Sequence, residues 1–249
     1  MLVAAWLPDA YRATRDLDLL GHGDASSVFV EAVFKEVCRL AVEPDGVDFD
    51  PRTVHAEIIR EGQRYTGTRV KLEAHIAGAA IGLQVDVGYG DAVVPVPTTI
   101  DYPSLLKFAA PHLKAYSRYT VVAEKLQATV ELGLTNSRLK DFFDLFTLAS
   151  RFDFGGQQLV EAITATFARR GAAIPAHPPT ALSQRFAEVP GKVAQWAGFL
   201  RRARVHIDLP PFPAVVEAVA DFALEPLAAA RAGTVFPRRW RPGGPWVAG

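Results

Sequence analysis

The sequence predicts an α+β protein in which strands dominate the first part and helices the rest. Residues 68–77 and 80–88 alternate apolar with polar side chains on either side of Gly78, which predicts a β-hairpin with one buried face. A proline-rich stretch at residues 95–103 marks an extended connector, after which helical spacing continues to the end of the chain. This order favours an α/β core at residues 1–105 and an α-helical C-terminal lobe at residues 106–249.

Local signals place the individual elements. Helices are predicted at 117–132, 137–151, 156–170, 189–203 and 212–231. Strands are predicted at 16–20, 47–49 and 56–59, and residues 2–9 are typical of the end of a helix. The stretch Asp24-Ala-Ser-Ser27 can cap a further helix that runs to about Leu40, along which Phe29, Val33 and Val37 keep helical spacing.

Composition excludes several classes of protein. The 249 residues are 49% hydrophobic and 22% charged, which suits a folded chain with a real core. Lys plus Arg equals Asp plus Glu at 27 each, which argues against non-specific nucleic-acid binding as the main role. Cys38 is the single cysteine, so no intramolecular disulfide or cysteine zinc site can form, and a reducing cytoplasm is indicated. No stretch reaches the length of a membrane span, so no membrane partner is expected.

Asp16 and Asp18 lie two residues apart in the predicted strand 16–20. Side chains at that spacing project from the same face of a strand, while Leu17 and Leu19 face the other way. Two adjacent carboxylates repel each other unless a cation lies between them, and hard oxygen ligands suit Mg²⁺ or Mn²⁺. The alternative is a surface strand with two solvated acids.

Two further residues could join this pair. Asp86 lies on the polar face of the predicted strand 80–88, and if that strand neighbours 16–20, three carboxylates could hold two divalent ions for phosphoryl or nucleotidyl transfer. Thr14 precedes Asp16 by two residues, so its hydroxyl could bind a phosphate. A solvent-facing strand acid and a plain loop hydroxyl are the alternatives for these two residues.

A second group of charged residues lies in the helical lobe. Arg138, Asp141 and Asp144 share one face of a helix that Ser137 can cap. Lys125, on the preceding helix, is flanked by apolar residues, so its charge needs a carboxylate or phosphate partner. An ion pair between Lys125 and Asp141 and a triphosphate-binding lysine both satisfy this need, and both can hold together.

Arginine clusters offer contacts to a nucleic-acid backbone, and Trp240 could stack on a base between Arg239 and Arg241. Solvated charged faces are the alternative for these clusters. The arginines concerned are Arg60, Arg64, Arg69, Arg201, Arg202, Arg204, Arg238, Arg239 and Arg241.

Three motifs together resemble the AbiEii/AbiGii family of nucleotidyltransferase-like toxins, which are the toxin halves of type IV toxin–antitoxin or abortive-infection pairs. The first is Arg12–Gly21, with the sequence Arg-Ala-Thr-Arg-Asp-Leu-Asp-Leu-Leu-Gly. The second is Leu83–Asp91, and the third is Ala123–Leu126 followed by Arg138–Leu145. They occur in the order found in the family, and the resemblance covers most of the chain.

The resemblance implies a polymerase-β-like nucleotidyltransferase core, a mixed sheet with flanking helices, followed by the helical lobe. It implies a nucleoside triphosphate (NTP) as substrate, Mg²⁺ or Mn²⁺ as cofactor, RNA as acceptor with the tRNA 3′ end favoured, and a separate antitoxin protein. The roles that it assigns are metal binding for Asp16, Asp18 and Asp86, nucleotide binding for Thr14, Lys125 and Arg138, and catalysis for the three acids, Lys125 and Asp141.

One feature of the family pattern is absent. A Gly-Gly or Gly-Ser turn whose amides cradle the triphosphate precedes the Asp-x-Asp strand in the family, whereas residues 1–13 contain no glycine. Met1 falls about where that turn should have just ended, so we expect either a missing N-terminal segment or a lost phosphate cradle. If an N-terminal segment is missing, the protein is expected to be a nucleotidyltransferase. If the phosphate cradle is lost, a catalytically silent nucleotide-binding or protein-interaction module of the same fold is expected.

Overall fold

The computed structural model describes residues 2–7, 16–61, 65–104, 107–205 and 207–249, and for a few of them, including Asp16, only the backbone. The chain divides into two compact units. The first is Thr14–Asp91, and the second is Ala92–Gly249 together with Leu2–Ala13. The lobe limits predicted from the sequence, 1–105 and 106–249, stay a prediction.

The first unit is a four-stranded mixed sheet with one helix. Its elements are, in chain order, β1 (Asp16–Gly21), α2 (Ser27–Val37), β2 (Val47–Glu61), β3 (Tyr65–Ile76) and β4 (Ala79–Tyr89). The short helix α1 (Leu2–Trp6) precedes them in the sequence but belongs to the second unit. The strand order is β1-β4-β3-β2; β1 runs parallel to β4, and the other neighbours are antiparallel. The predicted strand 16–20 and the hairpin about Gly78 are therefore confirmed.

Alternation in β3 and β4 builds the small core of this unit. Val70, Leu72, Val85 and Val87 are buried on one face, where they cluster with Val30 of α2. Their polar neighbours project from the opposite face, because successive side chains of a strand alternate. The face of the sheet that carries Asp86 is thus the one turned away from this core.

Two details of the first unit differ from the sequence prediction. Strands 47–49 and 56–59 are one strand, β2, whose register shifts between Asp50 and His55. Helix α2 begins within the predicted capping stretch, and Ser26 is the N-cap, with its hydroxyl accepting from the Phe29 amide. Its sheet-facing residues are Val30, Phe34 and Cys38, whereas Phe29, Val33 and Val37 are exposed.

The second unit is mainly helical. Its remaining elements are β5 (Thr98–Asp101), β6 (His112–Ala115), α3 (Arg118–Leu132), α4 (Leu139–Arg151), β7 (Phe154–Gly155), α5 (Gly156–Arg169), α6 (Gln184–Ala187), α7 (Lys192–Ala203), α8 (Phe212–Ala232), β8 (Arg238–Trp240) and β9 (Trp246–Ala248). All five predicted helices are present, as α3, α4, α5, α7 and α8. Their apolar faces form one core in which Leu126, Phe142, Ile163 and Phe222 are fully buried.

The prediction that the chain is purely helical after the connector is wrong. β5 pairs with β6, and β7, β8 and β9 form a three-stranded sheet. These strands are two to four residues long, too short for alternation to reveal them. In the described part of the chain, none of the helices is long and apolar enough to cross a bilayer.

Candidate functional site

Two rows of polar residues cross the face of the first unit's sheet that is turned away from its core. In the first row Asp18 pairs with Asp86, Asp86 with Arg69, and Arg69 with Glu57. In the next row, two residues along each strand, the paired positions are Asp16, Gln84, Lys71 and His55. Directly paired residues of neighbouring strands project from the same face, so the described side chains of each row lie side by side.

The two acids of the first row lie as the sequence argument requires. Strands β1 and β4 are neighbours, and neighbouring strands are about 5 Å apart. Asp18 and Asp86 therefore project side by side. The backbone of Asp16 pairs with Gln84, whereas its side chain and the whole of Thr14 lie outside the described residues.

Asp86 already has a cationic partner. The Arg69 guanidinium donates from Nε to Oδ1 and from Nη2 to Oδ2 of Asp86, both at 2.8 Å. The Asp86 side chain is 21% exposed and the Arg69 side chain 31%, so the pair is partly shielded from water. A fork-to-fork contact of this kind fixes the carboxylate more firmly than a single hydrogen bond would.

The pair of Arg69 and Asp86 was not predicted: Arg69 was expected either to contact RNA or to lie on a solvated face. The signal was nevertheless present in the hairpin. Ile76 pairs with Ala79 across the two-residue turn, and counting back along both strands from that pair brings Arg69 opposite Asp86. The position of the turn thus determines the partner of Asp86.

The donor chemistry suits a divalent ion with oxygen ligands, but the described side chains do not complete a site. Among them, no group of three His, Cys, Asp or Glu residues could hold a metal ion. Asp18 and Asp86 supply two carboxylates on one face, and the guanidinium on Asp86 shows that negative charge there is balanced by a cation. The backbone of Asp16 pairs with Gln84, and a third carboxylate from Asp16 stays a prediction.

The predicted charged cluster of the helical unit is present and buried. Lys125 Nζ lies 2.9 Å from Asp141 Oδ1 and 2.6 Å from Asp144 Oδ2, and Arg138 Nε lies 2.7 Å from Asp141 Oδ2. The two aspartate side chains are 0% and 1% exposed, and that of Lys125 is 16% exposed. The predicted ion pair is therefore confirmed, and Asp144 is a second partner that the sequence did not identify.

These charges are compatible only because they are paired. Burial by itself would lower the Lys125 pKa, but Asp144 and then Asp141 more than offset this effect and raise the pKa above its ordinary value. Lys125 therefore carries a full positive charge at neutral pH. One ammonium and one guanidinium balance two buried carboxylates, and the Arg138 side chain is itself 42% exposed.

The start of α4 positions this cluster in a way that the sequence did not indicate. Arg138 is the N-cap residue, and the Asn136 side-chain oxygen accepts from its amide at 2.8 Å, so Ser137 is not the cap. Lys192 of α7, itself buried, donates to the Asn136 carbonyl. The loop that leads into Arg138 and Asp141 is thus held by a side chain from another helix.

The C-terminal arginine cluster does not present a base-stacking surface. Trp240 is 3% exposed, and its indole nitrogen donates to the Ala149 carbonyl at 2.7 Å, so the prediction that it stacks on a base is wrong. Arg238 pairs with Glu225, and Arg239 pairs with Asp153 at 3.1 Å. Arg201, Arg202 and Arg204 are exposed, while Arg64 and the side chain of Arg60 lie outside the described residues.

Replacing Trp240 with phenylalanine should lower the free energy of unfolding by about 1–3 kcal/mol, because the buried Ala149 carbonyl loses its donor. RNA affinity of the folded protein should not change. Urea unfolding and a filter-binding assay would measure the two effects. Arg239→Gln, a change at the exposed neighbouring residue, serves as the control variant. Weaker RNA binding at unchanged stability would contradict the structural role.

A mixed α/β unit with acids on neighbouring strands and a helical unit with a buried lysine–carboxylate cluster together define a nucleotidyltransferase-like protein. The model of the AbiEii family, described as the nucleotidyl transferase toxin of type IV toxin–antitoxin systems, matches residues 1–218. The chain belongs to this family. No protein of curated function matches the sequence.

Two solved structures resemble this chain. One is a candidate nucleotidyltransferase from H. pylori, with 14% identity and a TM-score of 0.49 over 92% of this chain and 85% of that one. The other is JHP933 from Helicobacter pylori, with 14% identity and a TM-score of 0.49 over 94% of this chain and 85% of that one.

Proposed function

We propose that this protein transfers a nucleotide from an NTP to RNA, preferably to the tRNA 3′ acceptor end, with Mg²⁺ or Mn²⁺ as cofactor. The observation that carries the proposal is the pairing of Asp18 with Asp86 on neighbouring strands, side by side on one face of the sheet. Membership of a toxin family with the same chemistry supports it. The protein would act in the cytoplasm, where tRNA and nucleotides are available, and a separate antitoxin protein would counteract it.

In this proposal Asp16, Asp18 and Asp86 hold the divalent ion. When bound, the ion neutralises phosphate charge and lowers the pKa of the attacking hydroxyl. The same acids would accept the proton of that hydroxyl. Asp18 and Asp86 share one face on neighbouring strands, which supports the preorganisation that electrostatic catalysis requires.

Lys125 would neutralise the triphosphate, with Arg138 and Thr14 as further nucleotide contacts. An ammonium has three N–H donors, and Asp141 and Asp144 use two of them, which leaves one for a phosphate oxygen. Asp141 would act by orienting Lys125 and Arg138, since it contacts both. Arg201, Arg202 and Arg204 at the end of α7 are exposed and would be available to the RNA backbone.

Incubation of the protein with each labelled NTP, Mg²⁺ and total tRNA tests the proposal. We expect label on tRNA from at least one nucleotide, and none with Asp16→Ala or with chelator. Periodate-oxidised tRNA, which lacks the 3′ diol, should accept nothing. Absence of transfer from every nucleotide, with Asp16→Ala indistinguishable from the wild type, would refute the enzyme.

A catalytically silent module of the same fold is the second candidate. The observation that favours it is that two of the proposed catalytic residues already have internal partners, Asp86 with Arg69 and Lys125 with two aspartates. Titration calorimetry with NTP and Mg²⁺ separates the two candidates. A silent protein-interaction module should give no magnesium-dependent heat, whereas an enzyme should give a saturable signal that Asp86→Asn removes.

A further inference from the structure

Both oxygens of the Asp86 carboxylate are engaged by one side chain. Arg69 occupies the position directly opposite on β3, and its Nε and Nη2 each donate to a different oxygen at 2.8 Å. Gln84 Nε2 lies farther from the same oxygens, at 3.4 and 3.5 Å. Because the pair is partly shielded from water, its two charge-assisted hydrogen bonds are stronger than those of an exposed ion pair.

These are the oxygens that Asp86 would offer to a divalent ion beside Asp18. We propose that Arg69 is a positioning residue that serves as the counter-cation of Asp86 in the metal-free protein. Its guanidinium holds the carboxylate in the row next to Asp18, and it must release at least one Asp86 oxygen before a divalent ion binds there. This inference rests on the proposed function, because that function places the ion on these acids.

Lys71 separates this specific competition from a general effect of positive charge. It projects from the same face of β3 two residues along, carries the same charge, and pairs with Glu57 at 2.7 Å. It contacts none of the proposed metal-binding acids in the described structure. A long-range electrostatic effect should therefore appear in Lys71 and Arg69 variants alike, whereas displacement from Asp86 concerns Arg69 alone.

The affinity of the full chain for Mn²⁺, measured without nucleotide, tests the inference. The electron paramagnetic resonance signal of free Mn²⁺ reports how much of the ion stays unbound. Arg69→Gln should bind Mn²⁺ about tenfold more tightly than the wild type, because one set of charge-assisted hydrogen bonds no longer competes. Arg69→Lys keeps the charge but cannot engage both oxygens as a fork, so its affinity should lie between the two. Lys71→Gln should stay within about twofold of the wild type.

The outcomes distinguish this inference from the proposed function. Asp86→Asn should abolish Mn²⁺ binding; unchanged binding to it would refute the metal site, and the role of Arg69 with it. If binding requires Asp86 but neither Arg69 variant tightens it, only the role of Arg69 is overturned. If Lys71→Gln tightens Mn²⁺ binding as much as Arg69→Gln does, the role of Arg69 is also overturned. If neither the wild type nor Arg69→Gln binds Mn²⁺, both the metal site and the role of Arg69 are overturned. Circular dichroism checks folding, and Arg69→Lys carries the test if Arg69→Gln does not fold.

Discussion

Replacing Lys125 with methionine should destabilise the helical unit by about 3–5 kcal/mol, the cost of removing one partner from a buried ion cluster. Asp141 and Asp144, whose side chains are 0% and 1% exposed, would lose the ammonium that lies 2.9 and 2.6 Å from their oxygens. Asp141 keeps Arg138, but two carboxylates would then face one guanidinium. Urea unfolding followed by far-UV circular dichroism would measure the loss.

Two variants control this experiment. Lys140→Met removes an equal charge from an exposed position of α4 and should leave stability nearly unchanged. The triple variant Lys125→Met, Asp141→Asn, Asp144→Asn removes all three charges together, so no buried carboxylate is left unbalanced, and it should recover most of the lost stability. A Lys125→Met protein that unfolds like the wild type would show that the carboxylates do not depend on Lys125.

The pH dependence of the Lys125→Met effect follows from the raised pKa of Lys125. A lysine whose folded pKa exceeds its unfolded value of 10.5 contributes its full stability below that pH, and the contribution is lost as the pH rises through the folded pKa. The gap between wild type and Lys125→Met should thus be constant from pH 6 to about pH 9 and shrink only above about pH 10. Because Lys125→Met is expected to destabilise the protein, the activity of a Lys125 variant should be measured on the folded fraction alone.

Long periodic patterns and turn positions were sufficient to predict most of this fold. The five long helices bury continuous faces, and the hairpin about Gly78 has a register that its turn determines. The pairing of Asp18 with Asp86 follows only once β1 is known to lie beside β4, a tertiary contact that no local pattern specifies. The sequence therefore predicts the pairing only on the condition that these two strands are neighbours, and the structure shows that they are.

Other features depend on packing that a single sequence does not encode locally. Asp141 and Asp144 share a helix face, and the approach of α3 to α4 decides that Lys125 reaches both. Trp240 lies between arginines and was therefore interpreted as a surface residue. It is buried because alternation along β8 turns it toward Phe222 and Trp246 while Arg239 faces solvent.

Replacing Asp86 with asparagine should lower nucleotide transfer by about 10³-fold or more, since it removes one of the few carboxylates that could hold the divalent ion. The fold should tolerate this change. Asparagine keeps one acceptor oxygen for Arg69, so the free energy of unfolding should fall by only about 1 kcal/mol. Labelled-nucleotide transfer and urea unfolding of the same preparation would give both values.

Glu57→Gln is the matched control for Asp86→Asn, because Glu57 lies in the same cross-strand row and pairs with a cation of β3, Lys71, at 2.7 Å. It lies at the far end of that row from Asp18, so its loss should leave transfer within about twofold of the wild type. Equal losses in both variants would mean that any ion pair on this face supports the activity indirectly. A large loss confined to Asp86→Asn would locate the chemistry on the Asp18 side of the sheet, because both variants remove one carboxylate charge from the same face at opposite sides of Arg69.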